Sequence, residues 1–105
     1  MNPTSVPIED MQAAAGQACR LLKVLSNPDR LLILCRLAEG EMTVGQLEES
    51  LGIRQPTLSQ QLTVLREEAL VATRRDGKHI HYRIDSPQAL AVMQVLHQQF
   101  CSDEG

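Results

Sequence analysis

No tryptophan occurs in this 105-residue chain, and Tyr82 and Phe100 are its only aromatic residues. A core must therefore be assembled from Leu, Val, Ile, Met and Ala. No apolar run approaches the roughly 18 residues that a membrane-spanning helix requires. The opening MNPTSVPIEDM lacks the basic-then-apolar pattern of a secretion signal, which points to the cytoplasm. Cys19, Cys35 and Cys101 form neither a CxxC pair nor a Cys/His cluster, which excludes a zinc finger or ribbon. In a reducing compartment the default is three free thiols. Without CxxC, and without a charged neighbour at a helix N-terminus to activate a cysteine, a thiol oxidoreductase is disfavoured as well. No feature points to an enzyme or a cofactor, and no repeat or low-complexity tract appears.

The length fits a single domain, residues 1–105, with a modest core that a dimer interface would help stabilise. Net charge is −3, which argues superficially against nucleic acid. The distribution is uneven. Between Arg54 and Arg83 stand six bases and three acids, a surplus of three, so the rest of the chain carries −6. A basic segment on an acidic body has the form of an electrostatic footprint, although a solvated surface has the same composition.

Periodicity and caps predict the element order. A first helix, about Ile8–Leu25, carries Met11, Ala14, Ala15, Ala18, Leu22 and Leu25 as its apolar stripe, with Cys19 at the edge. Asn27 and Pro28 open a second helix to Glu39, with Leu31, Leu32, Leu34, Cys35 and Ala38 inward and Gly40 as its stop. Thr43 and Gln46 have capping-box spacing for a third helix to Leu51, and Gly52 supplies its exit. A fourth helix runs from Gln55 to about Leu70, its core stripe being Leu58, Leu62, Leu65 and Ala69. Two short helices joined through a glycine turn are a helix-turn-helix, about residues 43–70. LVATRR and KHIHYRI flank Asp76-Gly77, a strong hairpin turn, giving a two-stranded wing over about residues 70–84. Ile80, Tyr82 and Ile84 are its buried face, and His79, His81 and Arg83 its basic one. Ser86-Pro87 starts a fifth helix to about Cys101, while the first few residues and Ser102–Gly105 are expected to fray. The fold class is a mainly α winged helix-turn-helix of five helices and one hairpin.

Opposite the core stripe of the fourth helix lie Pro56, Gln60, Thr63 and Glu67, flanked by Thr57 and Ser59. Gln60 is the best base reader, because an amide can bond adenine N6 and N7 together. Thr57 and Ser59 offer hydroxyls to bases or phosphates, and Gln55 lies at the helix start, where phosphate is favoured. Arg54 and Arg66 flank the helix and suit phosphates. Arg74, Arg75, Lys78 and His79 crowd the hairpin tip, suited to a minor groove or backbone. A solvated helix face and a winged helix used only for protein contacts remain open alternatives. The capped helix upstream and the basic hairpin downstream favour double-stranded DNA.

Residues LLKVLSNPDRLLILCRLAEGEMTVGQLEESLGIRQPTLSQQLTVLREEALVATRRDGKHIHYRI resemble the ArsR/SmtB family of winged-helix repressors. The combination of LSNPDRLLIL, LSQQLTVLREEALV and RRDGKHIHYRI carries the resemblance, with Gln61 standing where the family often has His. The resemblance implies a homodimer through the first and last helices, bound to operator DNA and released by an inducer. The family's third-helix cysteine site is missing, since Glu41-Met42-Thr43-Val44-Gly45 stands there. Its last-helix metal pattern keeps Asp85 but meets Pro87, Gln98 and Cys101 elsewhere, with His97 out of register. Cys35 and Cys101 instead resemble the dithiol pair of the sulfide-, persulfide- and redox-responsive (BigR/SqrR/HlyU-like) branch, which implies reactive sulfur species as inducer. Read without the resemblance, they are two buried structural thiols. A metal- or metalloid-responsive repressor with an unusual site is the alternative. Cys19 reads as a packing residue, and the three histidines as wing or surface residues.

Overall fold

The computed structural model describes residues 6–101. The elements run α1 (Ile8–Leu25), α2 (Pro28–Leu37), β1 (Met42–Thr43), α3 (Val44–Leu51), α4 (Gln55–Glu67), β2 (Val71–Asp76), β3 (His79–Ile84) and α5 (Pro87–Leu96). A π-helical segment, His97–Cys101, continues α5. The expected fraying of the chain ends falls outside the described residues.

The caps form as expected. The Asn27 side chain accepts from the Arg30 amide at 3.0 Å, and Ser86 Oγ accepts from the Ala89 amide at 3.0 Å. Thr43 Oγ1 accepts from the Gln46 amide at 3.2 Å, and the Gln46 side chain accepts from the Thr43 amide at 2.9 Å. Thr43 is thus the cap itself, and the helix proper starts at Val44. The same residue pairs with His81 in a short strand, so the sheet has three strands, ordered β1-β3-β2. The expected hairpin gains β1 on its outer edge, and that edge ties the start of α3 to the wing. Two residues are too few for a period-2 pattern to announce them.

Leu58, Leu62 and Leu65 of α4 are buried, together with Ile33, Leu34 and Leu37 of α2, Leu47 of α3 and Met93 of α5. The stripe expected on α2 was turned too far, because Leu32 is exposed while Ile33 and Leu37 are inside. Both edges of a Leu/Ile-rich run satisfy helical spacing, so the run itself could not choose. On α1 only Val24 and Leu25 are buried, and Met11, Ala14, Ala15, Ala18 and Leu22 face outward. Its stripe is real but has no partner within the protomer. Ile80 is exposed too, so the wing's inner face is half-buried at Tyr82 and Ile84 only.

The fourth helix stops three residues before the expected end. Glu68, Ala69 and Leu70 amides donate back to Val64, Arg66 and Leu65 carbonyls, and Ala69 takes φ of 61°. This is a Schellman-type exit with alanine where glycine is usual. Ala69 is therefore exposed, not part of the core stripe. An alanine in left-handed backbone costs roughly 1–2 kcal/mol. Ala69→Gly should raise unfolding free energy by about 1 kcal/mol in urea titration, less whatever its added unfolded-state freedom takes back. Thr43→Ala should lower it by about 1 kcal/mol through the lost cap.

Candidate functional site

Three buried leucines fix the rotation of α4, and the opposite face is thereby set. Gln55, Ser59, Gln60 and Thr63 are exposed, and Thr57 is half-buried. Arg54 occupies the N-cap position with no side-chain cap bond, so first-turn amides are not consumed by a cap. Thr63 Oγ1 donates to the Ser59 carbonyl at 2.9 Å, which spends its proton inside the helix and leaves it an acceptor. Gln60 and Ser59 are the less committed members of the face.

Sequence reading missed what holds α4 in place. Arg30, half-buried at the start of α2, donates from Nε to the Val24 carbonyl at 2.8 Å and from Nη1 to Gln61 Oε1 at 3.0 Å. One guanidinium thus joins the end of α1, the start of α2 and the middle of α4. Gln61, which stands where the family often has His, is an acceptor of that fork.

The wing gathers Arg75, Lys78 and His79, all exposed, at a two-residue loop that is Gly77-Lys78 and not the expected Asp76-Gly77, because Asp76 pairs with His79. Arg75 Nε donates to the Gly77 carbonyl at 3.3 Å and braces the tip. Arg74 differs from expectation: its Nε pairs with Glu41 at 2.9 Å, so its charge is neutralised at the stem. Nothing in the spacing of Glu41 and Arg74 announces that pair. Arg66 is exposed in the last turn of α4.

A second site lies between α2 and α5. Cys35 is half-buried on α2, and its Sγ meets Met93 Sδ at 3.7 Å. Burial is the main cause that pushes the Cys35 thiol up. The neighbouring Cys101 and Glu39 add to it, while Arg36 pulls the other way. Met93, His97 and Cys101 follow one another every fourth residue, so they form one stripe. An α-helix would carry that stripe steadily round the axis, but the wider π turn over His97–Cys101 advances less per residue and returns Cys101 toward the line of Met93. Cys35, Met93 and His97 line a cleft of about 250 Å³. A larger cleft, about 480 Å³, runs under α1 past Ala18, Leu21 and Ser86 and contains none of the predicted site residues. The reading of the pair as two buried thiols is thus half met at Cys35 and not at Cys101, and Cys19 is exposed within the protomer. Among the described residues no three His, Cys, Asp or Glu side chains cluster as a metal site.

Residues 27–73 match the family described as bacterial regulatory protein, arsR family. The chain is 50% identical over 96 residues to the biofilm growth-associated repressor of Xylella fastidiosa, covering 91% of this chain and 84% of that one. It superposes on the crystal structure of the transcriptional repressor BigR from Xylella fastidiosa with a TM-score of 0.84 at 49% identity, covering 91% of this chain and 98% of that chain. It superposes on reduced HlyU from Vibrio cholerae with a TM-score of 0.85 at 36% identity, covering 89% and 98%.

Two outcomes follow from this geometry. In a double-mutant cycle on folding, Arg30→Ala and Gln61→Ala should couple by about 0.5–3 kcal/mol, whereas strictly additive effects would deny the fork any energetic role. With a limiting alkylating reagent, Cys35 should react after Cys19 and Cys101. Its rate should keep rising with pH above the ordinary thiol range, because a raised folded-state value keeps the thiol protonated until then.

Proposed function

Because the chain belongs to the arsR family of bacterial regulatory proteins, we propose that it is a dimeric operator-binding repressor, released from DNA by reactive sulfur species through Cys35 and Cys101. The relatives are transcriptional regulators with a winged helix-turn-helix, and this chain is a DNA-binding regulator of that kind, not an enzyme. No helix among the described residues is long and apolar enough to cross a membrane, in keeping with a cytoplasmic site of action.

In this reading Gln60 reads a base edge in the major groove, with Gln55, Thr57, Ser59 and Thr63 around it. Arg54 and Arg66 hold phosphates beside the helix, and Arg75, Lys78 and His79 hold the backbone or minor groove at the wing. Arg74 contributes less, being paired to Glu41. Dimerisation covers the unpartnered stripe of α1 and the outer side of the last helix, where Ile8, Met11, Leu22, Val95 and Phe100 are all at least 50% exposed. A two-fold dimer then sets the spacing of two α4 helices on a palindromic operator.

The observation that carries the sulfur switch is the shared face of Cys35 with the Met93–His97–Cys101 stripe. Cys101 is the accessible thiol and meets the inducer first. Its thiolate takes a sulfur atom from each of two persulfide molecules in turn, releasing two thiols and leaving a hydrotrisulfide. The Cys35 thiolate attacks the middle sulfur, expels hydrogen sulfide and closes a trisulfide between α2 and the last helix. The link favours one packing of these helices and shifts the dimer from its DNA-binding geometry. A loss of about 2.8 kcal/mol suffices for a hundredfold weaker operator affinity.

Mass spectrometry after treatment with a persulfide donor should find Cys35 joined to Cys101 with added sulfur, and Cys19 still alkylatable. Cys35→Ser and Cys101→Ser should bind operator normally and stay bound after treatment; release in both would move sensing elsewhere. Gln60→Ala should lose about 1–3 kcal/mol of discrimination at one base pair, while Arg75→Ala should weaken all sequences alike and lower the salt slope by about one. Zinc should leave operator affinity unchanged.

A further inference from the structure

The cleft between α2 and α5 places beside Cys35 two donors that the sulfur switch does not use, Met93 and His97. Cys35 Sγ and Met93 Sδ are already in contact at 3.7 Å, close to the separation of two sulfurs sharing one small ion. His97 lines the same cleft, one helical turn beyond Met93. Glu39 also lines it, but its carboxylate is engaged by Arg36 at 3.0 Å. The donors left are thus a thiol, a thioether and an imidazole. A thioether is a poor ligand for zinc, whose protein sites are built of thiolate, imidazole and carboxylate. Thiolate and thioether together select soft ions, Cu(I) above all. A cluster defined by His, Cys, Asp and Glu alone overlooks this one, because its second sulfur is a methionine.

We propose that Cys35, Met93 and His97 form a three-coordinate site for Cu(I), clamping α2 to the last helix. Binding replaces the Cys35 thiol proton, which leaves to solvent, and neither copper nor sulfur changes oxidation state. Met93 is buried, so its thioether is positioned by the core, and only Cys35 and His97 need adjust. The ion enters from the open side of the cleft, where His97 is exposed. The site does not rest on the sulfur switch, since Cys101 is not among its three ligands. It also gives the thioether of Met93 a role beyond packing, because an isosteric leucine would pack as well but could not bind a soft ion.

The test titrates the reduced full chain with Cu(I) against a chromophoric Cu(I) chelator. Wild type and Cys19→Ser should each hold one ion with equal affinity. Cys35→Ser should lose it, and Met93→Leu and His97→Gln should each weaken it by at least tenfold. X-ray absorption should count two sulfurs and one nitrogen. Cys101→Ser should retain the ion while losing the persulfide cross-link, which separates this site from the sulfur switch. Equal Cu(I) affinity in wild type and Met93→Leu would overturn the proposal, as would loss of the ion in Cys101→Ser, which would make the site a simple dithiolate. Circular dichroism of each variant keeps a folding defect apart from a lost ligand. Should Met93→Leu misfold, the exposed His97→Gln and the sulfur count decide.

Discussion

Burial of Ile33, Leu34 and Leu37 is the constraint on which this molecule depends. They lie on α2, which packs against α1, α3, α4, α5 and β3 alike. Each such side chain contributes about 1.5–3 kcal/mol on leaving water. More important than the sum is the geometry: the recognition helix, the wing and the last helix take their places relative to one short helix. Arg30 at its start adds a polar fork to α1 and α4, and Cys35 lies next to Leu34 in its middle. A force applied at Cys35, by a sulfur bridge or by an ion, therefore acts on the element against which five others pack.

Much of this was legible in sequence because it is local. Asn27, Thr43, Gln46, Gly52 and Ser86 each act within a few residues, and each formed where its chemistry put it. The hairpin formed too, but Asp76 pairs with His79, so its loop is Gly77-Lys78, one residue beyond the expected Asp76-Gly77, with Gly77 taking the positive φ. The α4 core stripe was legible through Leu65, since three leucines at helical spacing admit one rotation. What failed was non-local. Ala69 carries no sign of a left-handed exit; Leu70 and Val71, pulled into the core beyond it, decide where the helix must stop. The α1 stripe was read correctly as apolar, but all of it except Leu25 lies outside the protomer's own core, and periodicity cannot say which molecule covers a face. The β1 pairing with β3 joins residues some forty positions apart through two strand residues, too short for any pattern.

The candidate site divides in the same way. The outward face of α4 follows from counting round a helix, and Gln55, Ser59, Gln60 and Thr63 are exposed on it. The neutralisation of Arg74 by Glu41 does not follow, nor does the meeting of Cys35 with Met93, because both join residues from distant parts of the chain. Cys101 lines up with Met93 through a π turn, a winding that no simple count of four anticipates.

The separation of the proposed reader from the proposed sensor has a consequence for how such a molecule can change over generations. Gln60 and its neighbours sit on one partner of α2, and the sulfur cluster sits between α2 and another. Substitutions in the two places have little occasion to interfere, so a new operator can be acquired without retuning the response. A new stimulus can likewise be adopted by exchanging one or two side chains in the cleft while the DNA address stays the same. Regulators built this way can be rewired one end at a time, with the small aliphatic core as the part that must not drift.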